Sequence, residues 1–133
     1  MSRNLDMTAL RSFVAVADTG GVTRAAGLLH LTQSAVSMQL KRLEESLNTG
    51  AIHVVQMIGN ERFYGYVRDF GFGEIIGLPL ESESVGDLSS LGKLRDIYSA
   101  TASYGQGITV TPIQLIMAFS AIANDGLMME PYI

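Results

Sequence analysis

Thr32 lies directly after Leu31 and four residues before Val36, and this local grouping constrains the chain more than any other. A hydroxyl able to cap a helix start, flanked by an apolar pair spaced to staple it, predicts a helix beginning at Gln33. Val36, Leu40, Leu43 and Leu47 then recur on one stripe of that helix, as an amphipathic helix on a small core requires. Upstream, Leu10, Phe13, Val14 and Ala17 make a second stripe, closed by Gly20 and Gly21. Between the two, Thr23 to Leu29 has length for about two helical turns, and its Ala25 and Ala26 are small enough for another backbone to approach closely. The expectation is a head of three short helices ending near residue 47.

The third helix leaves Gln33, Ser34, Ser37, Met38, Lys41 and Arg42 off its apolar stripe. Those residue types suit duplex DNA. Glutamine can pair bidentately with adenine, serine can bond to bases or phosphates, and the two cations can neutralise phosphates. The net charge of −4 argues against nucleic acid for the whole chain, but the charge is unevenly spread. Residues 1–45 carry five basic side chains against four acidic, whereas residues 46–133 carry four against nine. Only the first part can meet phosphates without strong repulsion.

The run Leu5-Asp6-Met7 through Ala17, Thr23-Arg24-Ala25-Ala26, and Leu29 through Ser37 resembles the N-terminus of LysR-type transcriptional regulators. The resemblance covers about residues 1–47. It implies a helix-turn-helix in which Gln33, Ser34 and Ser37 face the major groove, with Arg24 and Lys41 near the backbone. It also implies dimers on paired half-sites. The family continues into a β-hairpin wing, a linker helix and an effector domain, and no such pattern follows Glu45, so the winged fold is incomplete.

From Asn48 the chain becomes acidic and glycine-rich. Ile52, Val55 and Gln56 predict a helix stopped by Gly59, Asn60 a cap for another helix to about Phe70, and residues 74–96 a loop. Thr111-Pro112-Ile113-Gln114 is a helix start: threonine caps, proline fits the first helical position, and glutamine reaches back to the cap. That helix should run to about Asn124, where Asp125-Gly126 supplies a left-handed stop, and Leu127 to Ile133 should begin a strand.

Phe63-Tyr64-Gly65-Tyr66-Val67-Arg68-Asp69-Phe70-Gly71-Phe72-Gly73 and Tyr104 through Leu115 are similar to the transpeptidase domain of class B penicillin-binding proteins. This second resemblance covers about residues 46–133. It implies a serine nucleophile in SxxK, assisted by SxN and KTG motifs. Ser46-Leu47-Asn48 stands where SxN would fall, so Ser46 either relays protons beside an amide-holding Asn48 or simply finishes the recognition helix. Ser90-Leu91-Gly92-Lys93 spells SxxK but follows SxN in the chain, the reverse of the family's order, and reads as coincidence. No KTG or KSG triplet occurs, so catalysis of acyl transfer is not expected.

The remaining chemistry is sparse. There is no cysteine, and His30 and His53 lack ligand spacing, so neither a metal nor another cofactor is expected. The Gly-x-Gly pairs at 71–73 and 105–107 read as turns. The opening residues hold no apolar signal segment, and Ile108 to Ala123 is too short and too polar to span a membrane, which together point to the cytoplasm. The architecture expected is mainly α: a helix-turn-helix at 1–47 and a helical, loop-rich fragment of an α/β transpeptidase domain at 48–133. Its partners would be double-stranded DNA and, through exposed apolar helices, further copies of itself.

Overall fold

A computed structural model describes residues 6–79 and 82–131. The chain is mainly helical, with six α-helices, a 3-10 turn at Leu91–Lys93 and, among the described residues, no strand. A single antiparallel bridge joins Asp87 to Thr109. The chain divides into two compact units, Met1–Gly50 and Ala51–Ile133.

In the first unit α1 (Met7–Thr19) starts because the Asp6 carboxylate accepts hydrogen bonds from the Thr8 and Ala9 amides at 3.0 and 3.2 Å. It ends at Gly20, whose φ of 71° is left-handed. The next helix, α2 (Val22–Leu29), ends the same way at His30, with φ 55°. Thr32 then caps α3 (Gln33–Ile58), its hydroxyl accepting from the Ala35 amide at 3.1 Å.

The buried face of α1 is one residue away from the expected stripe. Ala9, Ser12 and Ala15 are inside, while Phe13 and Val14 are about half exposed. The cause is side-chain size, since small residues on α1 meet Ala25 and Ala26 of α2, both buried, and let the two backbones come close. Ser12 is buried and donates from its hydroxyl to Gln39 Oε1, tying α1 to α3. The expected stripe instead borders an open hollow of about 400 Å³ lined by Leu10, Phe13, Leu40, Leu43 and Leu47.

Where two helices were expected around residues 47–58, α3 runs unbroken to Ile58. Gly50 is the weakest helix former in this stretch, and one glycine costs only about 1 kcal/mol against alanine. It does not adopt positive φ, and the Thr49 hydroxyl bonds back to Glu45 O at 2.7 Å, within the helix. Gly59, with φ 83°, supplies the stop.

Gly59, not Asn60, is the N-cap of α4 (Asn60–Asp69). The Asn60 side chain is drawn elsewhere: its amide donates to Leu94 O (3.2 Å) and Asp96 Oδ1 (2.7 Å), which ties α4 to the start of α5 (Asp96–Ala102). Residues 70–79 and 82–90 are largely irregular, with Gly71, Gly73, Gly77 and Gly86 all at positive φ. A Cβ on Gly86 would stand 2.2 Å from Thr109 O, so only glycine lets the chain pass close enough for the Asp87–Thr109 pair to exchange hydrogen bonds of 2.8 and 2.9 Å.

The expected capping box opens α6 (Pro112–Ala123): Thr111 Oγ1 accepts from the Gln114 amide and Gln114 Oε1 from the Thr111 amide. Gln114 is only 1% exposed. Its Nε2 donates to Glu74 O at 2.9 Å and Val85 O at 3.1 Å, so one carboxamide holds two turns of the irregular segment against α6. Ala118 and Ala121 continue this buried face, while Leu115, Ile116, Phe119 and Ile122 are exposed. Asp125 and Gly126 both take positive φ, as the expected stop requires. Residues 127–131 form no strand, and Tyr132 and Ile133 lie outside the described residues.

Gln114→Ala should lower stability by about 1–3 kcal/mol, since the Glu74 and Val85 carbonyls lose their donor and the Thr111 amide its acceptor. Thermal melting followed by circular dichroism measures this. A melting temperature equal to that of the parent chain would mean that the clasp contributes nothing.

Candidate functional site

The sequence-predicted DNA-contacting residues lie on α2, on the turn after it and on the first turns of α3. Arg24, Thr32, Gln33, Ser34, Ser37, Lys41 and Arg42 are all exposed. Their arrangement follows from the helical repeat of about 100° per residue. With Val36 and Leu43 buried, Ser34, Met38 and Lys41 project from the opposite side of α3, with Gln33 and Arg42 at its margins.

Several of these groups are free to meet a ligand. Among the described residues, no carboxylate forms an ion pair with Arg24, Lys41 or Arg42, and no protein partner engages the Gln33 or Ser37 side chain. Thr32 is partly committed: besides capping α3, its hydroxyl lies 3.0 Å from that of Ser34. Arg42 donates from its guanidinium to Met38 Sδ at 3.8 Å. Glu45, also exposed, follows Lys41 one turn later, and its negative charge ends the stretch that phosphate would tolerate.

Ser46 and Asn48 both lie within α3, Ser46 exposed and Asn48 half-buried. Two residues apart on a helix, they point about 200° away from one another. Their side chains do not converge on one point.

The SxxK-spelled residues also diverge. Ser90 immediately precedes the 3-10 turn and donates its hydroxyl to Gly107 O, while Lys93 Nζ sits 5.4 Å from the centroid of the Tyr98 ring, a cation–π distance. The amine therefore faces an aromatic ring and the hydroxyl a carbonyl. A hollow of about 430 Å³ beside the start of α4 is lined by Ile58, Gly59, Asn60, Glu61, Arg62 and Leu94 and includes neither residue.

Comparison with known proteins finds two families in this one chain. A model described as the penicillin binding protein transpeptidase domain matches residues 32–133. One described as bacterial regulatory helix-turn-helix protein, lysR family, matches residues 7–50. The chain is similar to Stage V sporulation protein D of Bacillus subtilis (strain 168), 38% identical over 94 residues, covering 71% of this chain and 15% of that protein. It is also similar to Penicillin-binding protein PbpB of Mycobacterium tuberculosis, 35% identical over 67% of this chain and 13% of the relative. A third relative, Peptidoglycan D,D-transpeptidase FtsI homolog of Mesostigma viride, is 32% identical over 68% of this chain and 16% of its own length. The chain thus spans about one sixth or less of each relative.

The polar face depends on α3 starting where it does, so the cap is open to a direct test. Thr32→Ala should cost about 1 kcal/mol of stability, and Thr32→Asp should restore it by supplying another cap oxygen. Urea denaturation of the three proteins reads both effects, and equal midpoints would remove the cap from the account.

Proposed function

The chain belongs, through residues 32–133, to the penicillin binding protein transpeptidase domain family, and on that premise we propose that residues 48–133 are a catalytically incomplete transpeptidase fragment carrying a DNA-binding head at residues 1–47. The head contains a lysR-family helix-turn-helix. Its proposed ligand is double-stranded DNA, met in the cytoplasm. The observation that carries this reading is the exposed face of α3, where Gln33, Ser34, Ser37 and Lys41 stand on an anchored helix with no protein carboxylate pairing the lysine, among the described residues.

The roles divide by chemistry. Gln33, with both an amide donor and an acceptor, reads adenine edges; Ser34 and Ser37 contact bases or phosphates; Arg24, Lys41 and Arg42 neutralise backbone charge. Thr32 acts by capping α3, so that the amides of its first turn and the side chains beyond are held in one register.

A mobility-shift series in rising salt tests the reading. Sequence preference should persist after phosphate attraction is screened. Lys41→Ala should weaken binding to all duplexes alike and reduce the salt slope by about 1, whereas Gln33→Ala should relax preference at one position by about 1–3 kcal/mol. Equal affinity for every duplex at all salt concentrations would rule out a groove-reading head.

For residues 48–133 the proposal is that no acyl-enzyme forms. The separate engagement of Ser90 by Gly107 and of Lys93 by Tyr98 supports it, because a serine is activated only by a base within hydrogen-bond reach. Incubation with a fluorescent penicillin should leave the chain unlabelled after denaturing electrophoresis. A covalent label that disappears in Ser90→Ala would reverse this part of the proposal.

A further inference from the structure

Met38 is the one large apolar side chain on the face of α3 that otherwise carries Gln33, Ser34, Ser37, Lys41 and Arg42. It lies near the centre of that face, about 160° around the helix from buried Val36, and is 56% exposed. An exposed methionine has no reason to be there for the sake of the core. Its sulfur accepts a hydrogen bond from the Arg42 guanidinium at 3.8 Å, so the one polarisable atom of the side chain is engaged from the C-terminal side. The remaining surface of the side chain is hydrocarbon.

The major groove offers hydrocarbon of its own at one place, the C5-methyl group of thymine. We propose that Met38 reads a thymine methyl in the major groove, beside bases contacted by Ser34 or Ser37, and so sets sequence preference by apolar contact. The proposal rests on the DNA-binding reading of this face. A flexible, unbranched thioether suits the task, since it can adapt to the shallow surface of a methyl group. Losing one such methyl–methionine contact returns about one buried carbon to water, worth about fourfold in affinity.

The test uses the full chain with two randomised duplex pools, one synthesised with thymine and one with uracil, which differ only in the C5-methyl. The parent chain should retain the thymine pool more strongly, by about fourfold per contacted base, and duplexes selected from it should share a thymine at a fixed place. Met38→Ala should bind both pools equally while keeping the parent's salt dependence. Met38→Leu should keep the preference for thymine. Binding to both pools with no difference in the parent chain, or a difference that survives in Met38→Ala, would overturn the thymine contact alone. Failure of the parent chain to bind either pool at low salt would overturn the DNA reading and, with it, this contact.

Discussion

A carboxamide can be buried without loss only where a partner awaits each of its polar atoms, and Gln114 has them all. Its oxygen takes the Thr111 amide, and its nitrogen gives one hydrogen to Glu74 O and another to Val85 O. Residues 74–79 and 82–86 form no regular element, and Gly77 and Gly86 at positive φ favour turns without fixing where they lie. The second unit therefore depends on a polar side chain at the first turn of α6 as much as on its buried alanines. The group that orders the loop is also the group that begins the helix.

The legible parts of the fold were those decided within a few residues. The cap and proline at Thr111-Pro112, the capping glutamine, and the Asp125-Gly126 stop all act over one turn of chain, and each is found where local chemistry put it. The roles that reach across the chain were hidden. Nothing near Gln114 announces Glu74 or Val85, and nothing near Asn60 announces Leu94, so asparagine was read as a cap when its amide is used some 34 residues away. The face of α1 was misread for a related reason. Periodicity finds large apolar residues, whereas close helix pairing is made by small ones, and Ala9, Ser12 and Ala15 carry too little hydrophobic signal to mark it.

For the candidate site the balance differs. The exposed polar face of α3 followed from the stripe opposite it, and the residues named from sequence are all at the surface. What sequence could not supply was the commitment of individual groups: Thr32 shared between the Ala35 amide and Ser34, Arg42 drawn onto Met38, and Ser90 turned to Gly107. Each of these depends on a rotamer or on a contact across a loop. Ser46 and Asn48 were placed by spacing alone, and the unbroken helix through Thr49 and Gly50 gives that spacing an angular meaning that a motif written in letters does not contain.

The unbroken α3 carries residues 32–50, which fall within both family matches. On these positions one string of amino acids has to satisfy two inherited patterns at once. Val36 and Leu43 are also buried in the first unit, and Gln39 accepts from Ser12 there. Such a stretch behaves like a shared word in two sentences: it can be altered only where both meanings survive. A substitution on this helix up to Gly50 thus falls in both matched stretches, and one beyond Gly50 in the transpeptidase stretch alone.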